Sequence, residues 1–321
     1  LAPLTKMNKM RIALTTELPA EGLTRLREHV LYAPLHEADI LISTFDKPVT
    51  SQMIASAPNL KLITNFGVGF NNIDLDACRE RGIRVTNTPQ PVIEPTAELA
   101  FALMIDIARR VSEFDRAIRV NGLGISGLGE LDVHFDVMNN LSRSLYGKTL
   151  GIIGMGRIGQ SLARRAVASG MTVIYHNRHR LLESIEAQYE ATYVDFQTLL
   201  QDSDYVSLNL PYTKEVHHLI GKQELGMMKR SAYLINTARG AHIDEQALVE
   251  ALQSGIIAGA AMDVYEHEPQ ITPSLLKLPN VVLSPHTGTG TWEGRIAMCH
   301  NVEDNILAYI NNDFNKMNIV L

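Results

Sequence analysis

Short apolar runs alternate with stretches of mixed polarity over most of the chain. In the first third they predict strands at residues 11–14, 38–43, 60–64 and 84–87, with helices over about 19–29 and 50–57. Strands that alternate with helices indicate a parallel, doubly wound sheet.

The same alternation returns in the second part of the chain. Helices are predicted over about 157–169, in a stretch ending near 204, and over 244–254, and strands at residues 149–153, 172–177, 205–210, 232–237, 257–264 and 281–284. The fold class is therefore α/β, with two doubly wound parallel-sheet domains.

A proline-rich stretch and a long helical pattern join the two parts. Three prolines, Pro89, Pro91 and Pro95, interrupt regular structure here, as is expected between domains. Apolar residues then recur at helical spacing over 99–118, which predicts one long, largely buried helix capped by Thr96.

Of two further segments, one has a clear helical pattern and the other has none. An amphipathic helix over about 292–311 is expected to cross back and pack on the first domain. Residues 121–145 are Gly-rich at first and then have no pattern, so they predict an irregular excursion.

Three glycines follow the strand at 149–153 with the spacing G-x-G-x-x-G: Gly154, Gly156 and Gly159. In this motif the first glycine permits a tight turn, the second lets backbone approach a pyrophosphate, and the third lets helix pack on strand. The N-terminus of the helix that follows offers unpaired N–H groups to the phosphates. With a strand before it and a helix and second strand after it, the motif predicts dinucleotide binding.

Composition and charge narrow the range of partners. The 321 residues carry a net charge of −6, which argues against a general binder of nucleic acid or of anionic membranes. No apolar run reaches transmembrane length. Cys78 and Cys299 lie far apart without metal-ligand spacing, and we interpret them as free thiols in the cytoplasm. Residues 1–6 are interpreted as preceding a native start at Met7 or Met10.

Three ionisable residues fall just after predicted strands: Arg239, Glu268 and His286. Ligands bind beyond the carboxyl ends of the strands in open α/β sheets, so these three residues are candidate catalytic residues. The turn at residues 65–72, NFGVGFNN, also follows a strand. Backbone N–H groups of Val68 and Gly69 are therefore predicted to contact a substrate.

Several motifs together resemble the D-isomer-specific 2-hydroxyacid dehydrogenase family. They are NFGVGFNNIDL, TPQPVIEPTAELA, GIIGMGRIGQ, NLPYTKEVHHLIG, LINTARGAHIDEQAL, GAAMDVYEHEP and LSPHTGTGT. The resemblance implies a Rossmann-type nucleotide domain at residues 96–291, inserted in a flavodoxin-like substrate domain at 1–95 and 292–321, with the active site in the cleft. It also implies that Arg239, Glu268 and His286 are the catalytic set, and it implies a homodimer.

The resemblance further indicates which residues line the ligands. Substrate contacts are expected from Val68, Gly69, Arg239 and His286. Cofactor contacts are expected from Thr96, Gly154, Gly156, Arg157, Ile158, Gly159, Asn177, Arg178, Leu210, Pro211, Thr237, Ala238, Arg239, Asp263, His286 and Gly288. No metal is expected.

The residue types suit the reduction of a 2-oxo acid. A guanidinium can hold a carboxylate and the neighbouring ketone oxygen with a planar fork that lysine lacks. Hydride arrival makes an alkoxide, which a histidine titrating near neutrality can protonate. Spacing alone does not decide between Glu266 and Glu268 as the partner of the histidine; the family pattern favours Glu268. The pair His217–His218 is interpreted as structural.

The end of the second nucleotide-domain strand bears on the choice of cofactor. NAD-selective sites usually carry an acidic residue there, bound to the ribose 2′-hydroxyl. This chain has Asn177 instead, followed by Arg178, His179 and Arg180. The pattern predicts a preference for NADP(H), with NAD(H) still possible, as in the glyoxylate/hydroxypyruvate reductase branch.

The resulting prediction is an NAD(P)H-dependent reductase of a small 2-oxo acid. The alternatives are an NAD-linked D-lactate or phenylpyruvate-type dehydrogenase and, in another class, a dinucleotide-sensing corepressor-like protein. The Trp-containing segment that family members often carry before the glycine loop is missing from 121–145, so a contribution of the partner subunit to the substrate site is in doubt.

Overall fold

A computed structural model describes residues 9–123, 133, 138 and 140–321. The chain forms two compact units, one of Leu1–Pro95 with Thr289–Leu321 and the other of Thr96–Gly288. Residues 1–6 and most of 124–139, on which two of the expectations above fall, lie outside the described residues. Among the described residues, no helix has both the length and the apolar composition that crossing a bilayer requires.

The first unit is built on a sheet of five parallel strands. The strands are β1 (Met10–Leu14), β2 (Val30–Tyr32), β3 (Ile40–Thr44), β4 (Leu62–Phe66) and β5 (Arg84–Thr86). Their order is β2-β1-β3-β4-β5, which is the flavodoxin-like order. Pattern analysis missed β2, a strand of three residues of which two are exposed.

Helices cover both faces of this sheet. Its α-helices are α1 (Ser51–Ala55), α2 (Leu75–Glu80) and the last helix, α10 (Trp292–Ile310), and its 3-10 helices are Ala20–Leu26, Leu35–Glu37 and Phe314–Lys316. As predicted, α10 returns to this unit, where Met298, Val302 and Ile306 join the core. Thr50 and Asp74 cap α1 and α2 by accepting hydrogen bonds from backbone N–H groups in the first turn.

The helix predicted over 19–29 is a 3-10 segment, and its contacts with α10 explain the difference. Arg25 donates from its backbone N and from Nε to the buried carboxylate of Glu303, both at 2.6 Å. A Cβ at Gly22 would lie 2.4 Å from Cβ of Cys299, so the segment touches α10 closely. Tertiary contacts of this kind override local helix preference.

The second unit is built on seven parallel strands. They are β6 (Thr149–Ile153), β7 (Thr172–His176), β8 (Ala191–Tyr193), β9 (Tyr205–Leu208), β10 (Tyr233–Asn236), β11 (Gly259–Met262) and β12 (Val281–Leu283). The order β12-β11-β10-β9-β6-β7-β8 is the Rossmann order extended by one strand. The two parallel sheets confirm the predicted fold class.

Helices flank this second sheet. They are α3 (Ile93–Arg109), α4 (Val111–Asn121), α5 (Arg157–Ala168), α6 (Glu183–Gln188), α7 (Phe196–Asp202), α8 (Lys222–Met227) and α9 (Glu245–Gln253), with 3-10 helices at Lys214–Val216, Gly240–His242 and Leu275–Lys277. The stretch predicted as a single helix ending near 204 is α6, β8 and α7.

The prediction of one long buried helix after Pro95 is wrong in three respects. The helix starts at Ile93, so Thr96 lies inside its first turn and does not cap it. It breaks at Arg110, whose φ of 58° is left-handed, and Ser112 donates its backbone N–H to Asp106 at 2.7 Å across the break. None of the residues of α4 is buried. The apolar period continues through the break, so the spacing of apolar residues does not show where the helix ends.

Candidate active site

The three motif glycines have different surroundings. Gly154 has φ of 97°, and a Cβ there would lie 2.8 Å from the carbonyl carbon of Asn209. A Cβ at Gly159 would lie 2.5 Å from the carbonyl oxygen of Gly154, so α5 packs directly on the loop. At Gly156, the residue before α5, an added Cβ would meet no described atom within 4 Å. The N-terminus of α5 is thus open to a ligand at Gly156, as pyrophosphate binding requires.

The end of β7 is connected to this loop. Asn177 accepts a hydrogen bond from the backbone N of Met155 at 2.7 Å through its side-chain oxygen. Arg180 is held by Glu186, with Nη2 2.7 Å from Oε2. Arg178 is exposed, and no hydrogen bond or ion pair joins it to another described residue. Of the two arginines that follow β7, Arg178 is therefore the one available to a ligand.

Arg239, Glu268 and His286 follow three adjacent strands. Arg239 comes after β10, Glu268 after β11 and His286 after β12, and these strands pair in parallel. Their carboxyl ends share one edge of the sheet, so the structure brings all three residues to that edge.

The turn that carries Arg239 is held by its neighbours. The side chain of the buried Asn236 accepts from the N–H of Ala238 at 3.0 Å and donates to the carbonyl of Arg239 at 2.9 Å. A Cβ at Gly240 would lie 1.9 Å from the carbonyl carbon of Tyr265, so only glycine lets this turn pack against the loop after β11. Burial lowers the pKa of the Arg239 guanidinium, and the charge of Glu268 acts in the opposite direction. The guanidinium therefore lies in a largely desolvated position.

Glu268 and His286 form a hydrogen-bonded pair. Oε2 of Glu268 lies 2.7 Å from Nδ1 of His286, and Oε1 accepts from the backbone N of Tyr265 at 2.9 Å. Burial raises the pKa of Glu268, but the hydrogen bond and charge of His286, the Tyr265 amide and the charge of Arg239 outweigh it, and the net pKa is lowered. The carboxylate is thus ionised at neutral pH and fixes the orientation of the ring.

The turn that carries His286 is held by Asp263. Its carboxylate accepts from Ser284 Oγ at 2.6 Å and from the backbone N of Thr287 and of Gly288, both at 2.8 Å. The backbone of His286 is left-handed, with φ of 53°, and its N–H donates to the carbonyl of Asp263 at 2.8 Å. This buried carboxylate therefore sets the path of the chain around the imidazole.

The same edge fits a dinucleotide. The hydroxyl of the buried Thr237 has no hydrogen-bond partner among the described residues, an unusual state that a ligand would relieve. Leu210 N would be 2.9 Å from a Cβ at Gly154, so the segment after β9 lies against the glycine loop. A Cβ at Gly288 would lie 3.5 Å from the hydroxyl of Thr96.

The predicted cofactor residues of the second unit therefore share a location. Apart from Thr96 in α3, they lie in the glycine loop and first turn of α5 or directly after β7, β9, β10, β11 and β12. The predicted substrate contacts Val68 and Gly69 lie in the first unit, after β4.

Sequence reasoning missed three residues that position this site. They are Asn236, Tyr265, whose hydroxyl donates to the carbonyl of Ser284 at 2.7 Å, and the buried Glu245, which accepts from the backbone N of Glu266 at 2.7 Å. A polar residue at the end of an apolar strand was the available signal for Asn236. Glu245 stands at the start of α9, where an acidic residue is ordinary, so nothing local distinguished it.

Comparison with known proteins identifies relatives of the chain. Residues 101–288 match the NAD-binding domain of the D-isomer specific 2-hydroxyacid dehydrogenases. A glyoxylate reductase of Thermococcus litoralis is 42% identical over 316 residues, covering 94% of each chain.

Two solved structures are also similar. An NADPH-dependent glyoxylate/hydroxypyruvate reductase from Sinorhizobium meliloti, in complex with NADP and malonate, is 30% identical with a TM-score of 0.81, covering 94% of this chain and 93% of the other. A D-lactate dehydrogenase from Aquifex aeolicus, complexed with NAD and lactic acid, is 28% identical with a TM-score of 0.81, covering 97% and 98%.

The chain belongs to the D-isomer-specific 2-hydroxyacid dehydrogenase family, which confirms the resemblance seen in its motifs. It is an NAD(P)-dependent oxidoreductase that acts on a small 2-oxo or 2-hydroxy acid with a nicotinamide dinucleotide as cofactor.

Proposed function

We propose that this enzyme reduces glyoxylate, hydroxypyruvate or a similar small 2-oxo acid to the D-2-hydroxy acid, preferring NADPH. The observation that carries the proposal is the Glu268–His286 pair, in which Oε2 of Glu268 lies 2.7 Å from Nδ1 of His286. This pair lies at the sheet edge that also holds Arg239. The glyoxylate reductases among its relatives favour this substrate class over lactate.

Arg239 holds the carboxylate of the substrate in this proposal. A planar guanidinium can donate two parallel hydrogen bonds, and its largely desolvated position strengthens them. The amides of Val68 and Gly69 are proposed as further donors. Their carbonyls are held by Asn87 at 2.8 Å and Asn65 at 2.6 Å, and their N–H groups bond to no described residue.

His286 is proposed as the proton donor. Glu268 engages Nδ1, and Nε2 is the ring nitrogen proposed to face the substrate oxygen. A bound nicotinamide would supply the hydride, and the protein positions and polarises the 2-oxo acid that accepts it. Protonation of the carbonyl oxygen by the imidazolium completes the hydroxy acid. Glu268 holds the ring in one orientation through its contact with Nδ1.

The preference for NADPH is proposed from the end of β7. Asn177 removes the carboxylate that would repel a 2′-phosphate, and its side-chain oxygen is bonded to the glycine loop. At about 4 Å and an effective dielectric of 20, that repulsion would be about 4 kcal/mol per charge pair. Arg178 supplies an exposed cation at the same strand end. The similar Sinorhizobium meliloti enzyme is described as NADPH-dependent.

A panel of 2-oxo acids assayed with NADPH and with NADH tests the proposal. We expect NADPH oxidation with glyoxylate and hydroxypyruvate, and slower turnover with pyruvate and phenylpyruvate. His286→Ala should abolish reduction while it still binds NADPH. Turnover restricted to NADH with pyruvate or phenylpyruvate would contradict the proposed substrate and cofactor. Near-normal turnover in the variant would exclude His286 as the acid.

A homodimer is proposed from the surface of α4. Val111, Ile118 and Val120 are exposed apolar residues on this helix, and Leu123 and Leu141 nearby are exposed as well. Val111 and Ile118 are two helical turns apart and so lie on one face of α4, and exposed apolar residues on one face are typical of a protein interface. The mass of the purified protein by sedimentation equilibrium tests this, and a monomer at micromolar concentration would contradict it.

A further inference from the structure

The pair His217–His218 has no part in the proposed reaction, yet the structure places it beside a carboxylate. One ligand atom from each of His217, His218 and Glu266 lies within 4.8 Å of the other two. Glu266 is 48 residues further along the chain than His218, in the loop after β11. The cluster is therefore made by the fold and not by local sequence.

The backbone brings the two imidazoles to one side. Successive side chains of an extended chain point in opposite directions. His218 has a left-handed backbone, with φ of 51°, and the two rings stack with centroids 3.9 Å apart and planes 21° apart. A left-handed conformation is uncommon for a residue other than glycine, so this pairing of the rings is maintained by its surroundings.

Each of the three side chains is oriented by a contact. The hydroxyl of Tyr212 lies 3.4 Å from Nδ1 of His217. Nε2 of His218 lies 2.5 Å from Oε1 of Glu266. The other oxygen of Glu266 accepts from the backbone N of Glu245 at 3.4 Å. Outer contacts of this kind orient metal-binding histidines and carboxylates in proteins.

We propose that His217, His218 and Glu266 bind a divalent transition-metal ion, with Zn²⁺ as the ion that the ligand set fits. Two imidazoles and one carboxylate are a known set of three protein ligands for zinc, with a water as the fourth. Imidazole ligands favour zinc and its neighbours in the first transition series over Mg²⁺ and Ca²⁺, which take oxygen ligands.

The geometry needs only side-chain adjustment. Tetrahedral ligands about 2.0–2.1 Å from zinc lie about 3.3 Å from one another, and the three ligand atoms are already within 4.8 Å. His217 is exposed, so the ion can enter from solvent, and a rotation of its ring toward the ion would replace the contact with Tyr212. The metal would replace the hydrogen bond between His218 and Glu266, and it would join residues 212–220 to the loop after β11.

Binding of Zn²⁺ to the chelator-treated full-length protein tests the proposal without any assay of activity. We expect isothermal titration to show one zinc ion per chain at this cluster, with no comparable binding of Mg²⁺. Because outer contacts alone alter metal affinity by about 10–100-fold, loss of a ligand in His218→Gln or Glu266→Gln should weaken binding at least about tenfold. Zinc should also raise the thermal unfolding temperature of the unaltered protein, since a ligand of the folded state stabilises it.

Two further variants keep the test decisive. His217→Ala removes an exposed side chain, so its fold should persist, as circular dichroism can verify, while zinc affinity falls. His300→Gln changes an exposed histidine of α10 and should bind zinc as the unaltered protein does. Co²⁺ should give visible d–d absorption that His217→Ala and Glu266→Gln both weaken. Equal zinc affinity in the unaltered protein and in both of these variants would overturn the proposal.

Discussion

Gly156→Ala should weaken cofactor binding and leave the fold intact, whereas Gly159→Ala should destabilise the fold. A Cβ at Gly156 meets no described atom within 4 Å, and the residue has φ of −80°, which any residue can adopt. Alanine is less favourable than glycine before a helix by about 0.5–1 kcal/mol. It also lowers the conformational entropy of the unfolded chain, which stabilises the folded protein by a similar amount. The free energy of unfolding should therefore change by less than about 1 kcal/mol.

Cofactor affinity should respond much more strongly to Gly156→Ala. The added methyl group would occupy the space through which the N-terminus of α5 meets the pyrophosphate. Loss of one charge-assisted hydrogen bond there costs about 1.5–3 kcal/mol, which corresponds to an affinity for NADPH about 10–150-fold weaker. Titration of the protein with NADPH by calorimetry measures this change.

Gly159→Ala should behave in the opposite way. Its Cβ would lie 2.5 Å from the carbonyl oxygen of Gly154 and 3.1 Å from Cγ2 of Ile152, so α5 must move away from β6. Overpacking of this kind destabilises by about 1–3 kcal/mol, and urea unfolding measures it. A Gly156→Ala protein that binds NADPH normally, or a Gly159→Ala protein that is fully stable, would refute this assignment of the motif.

Three other changes test separate parts of the site. Arg178→Asp should lower the ratio of kcat/KM with NADPH to that with NADH, because a carboxylate repels the 2′-phosphate. Gly240→Ala should unfold more easily by about 3 kcal/mol and lose activity, because its Cβ would lie 1.9 Å from backbone of the loop after β11. Burial lowers the pKa of His242 to about 4 from 6.5. The unfolded chain thus binds the extra proton first, and stability falls by about 3 kcal/mol as pH decreases from about 6.5 to 4. His242→Gln should lose that part of the pH dependence.

Each of these three predictions has a control variant or a result that would contradict it. Arg180→Gln removes a cation already paired with Glu186, so it should leave the cofactor ratio nearly unchanged; an equal ratio in Arg178→Asp would count against the NADPH argument. Gly226→Ala adds a Cβ that meets nothing within 4 Å in a helix and should stabilise by up to about 1 kcal/mol. Identical stability curves against pH for His242→Gln and the unaltered protein would show that His242 is not buried as a neutral ring.

The sequence by itself determined the local elements and the motifs. The apolar runs located β6, β7 and β9–β12 within a few residues, because a strand buried on both faces needs continuous apolar side chains. Glycine spacing located the turn into α5, since Gly154 has a left-handed backbone and Gly159 packs directly against the loop. The family motifs placed Arg239, Glu268 and His286 after strands, and the shared direction of parallel strands then implied a common edge.

Only the tertiary structure decided which side chains meet. Spacing could not separate Glu266 from Glu268; the fold places Glu268 against His286 and Glu266 against His218. The break of the long helix at Arg110 likewise depends on contacts that have no period along the chain. The bonds of Asn236 stay within its own turn, but those of Glu245 to Glu266 and of Tyr265 to Ser284 join separate segments of the chain. Such contacts arise when separate segments pack, so no local pattern of polarity records them.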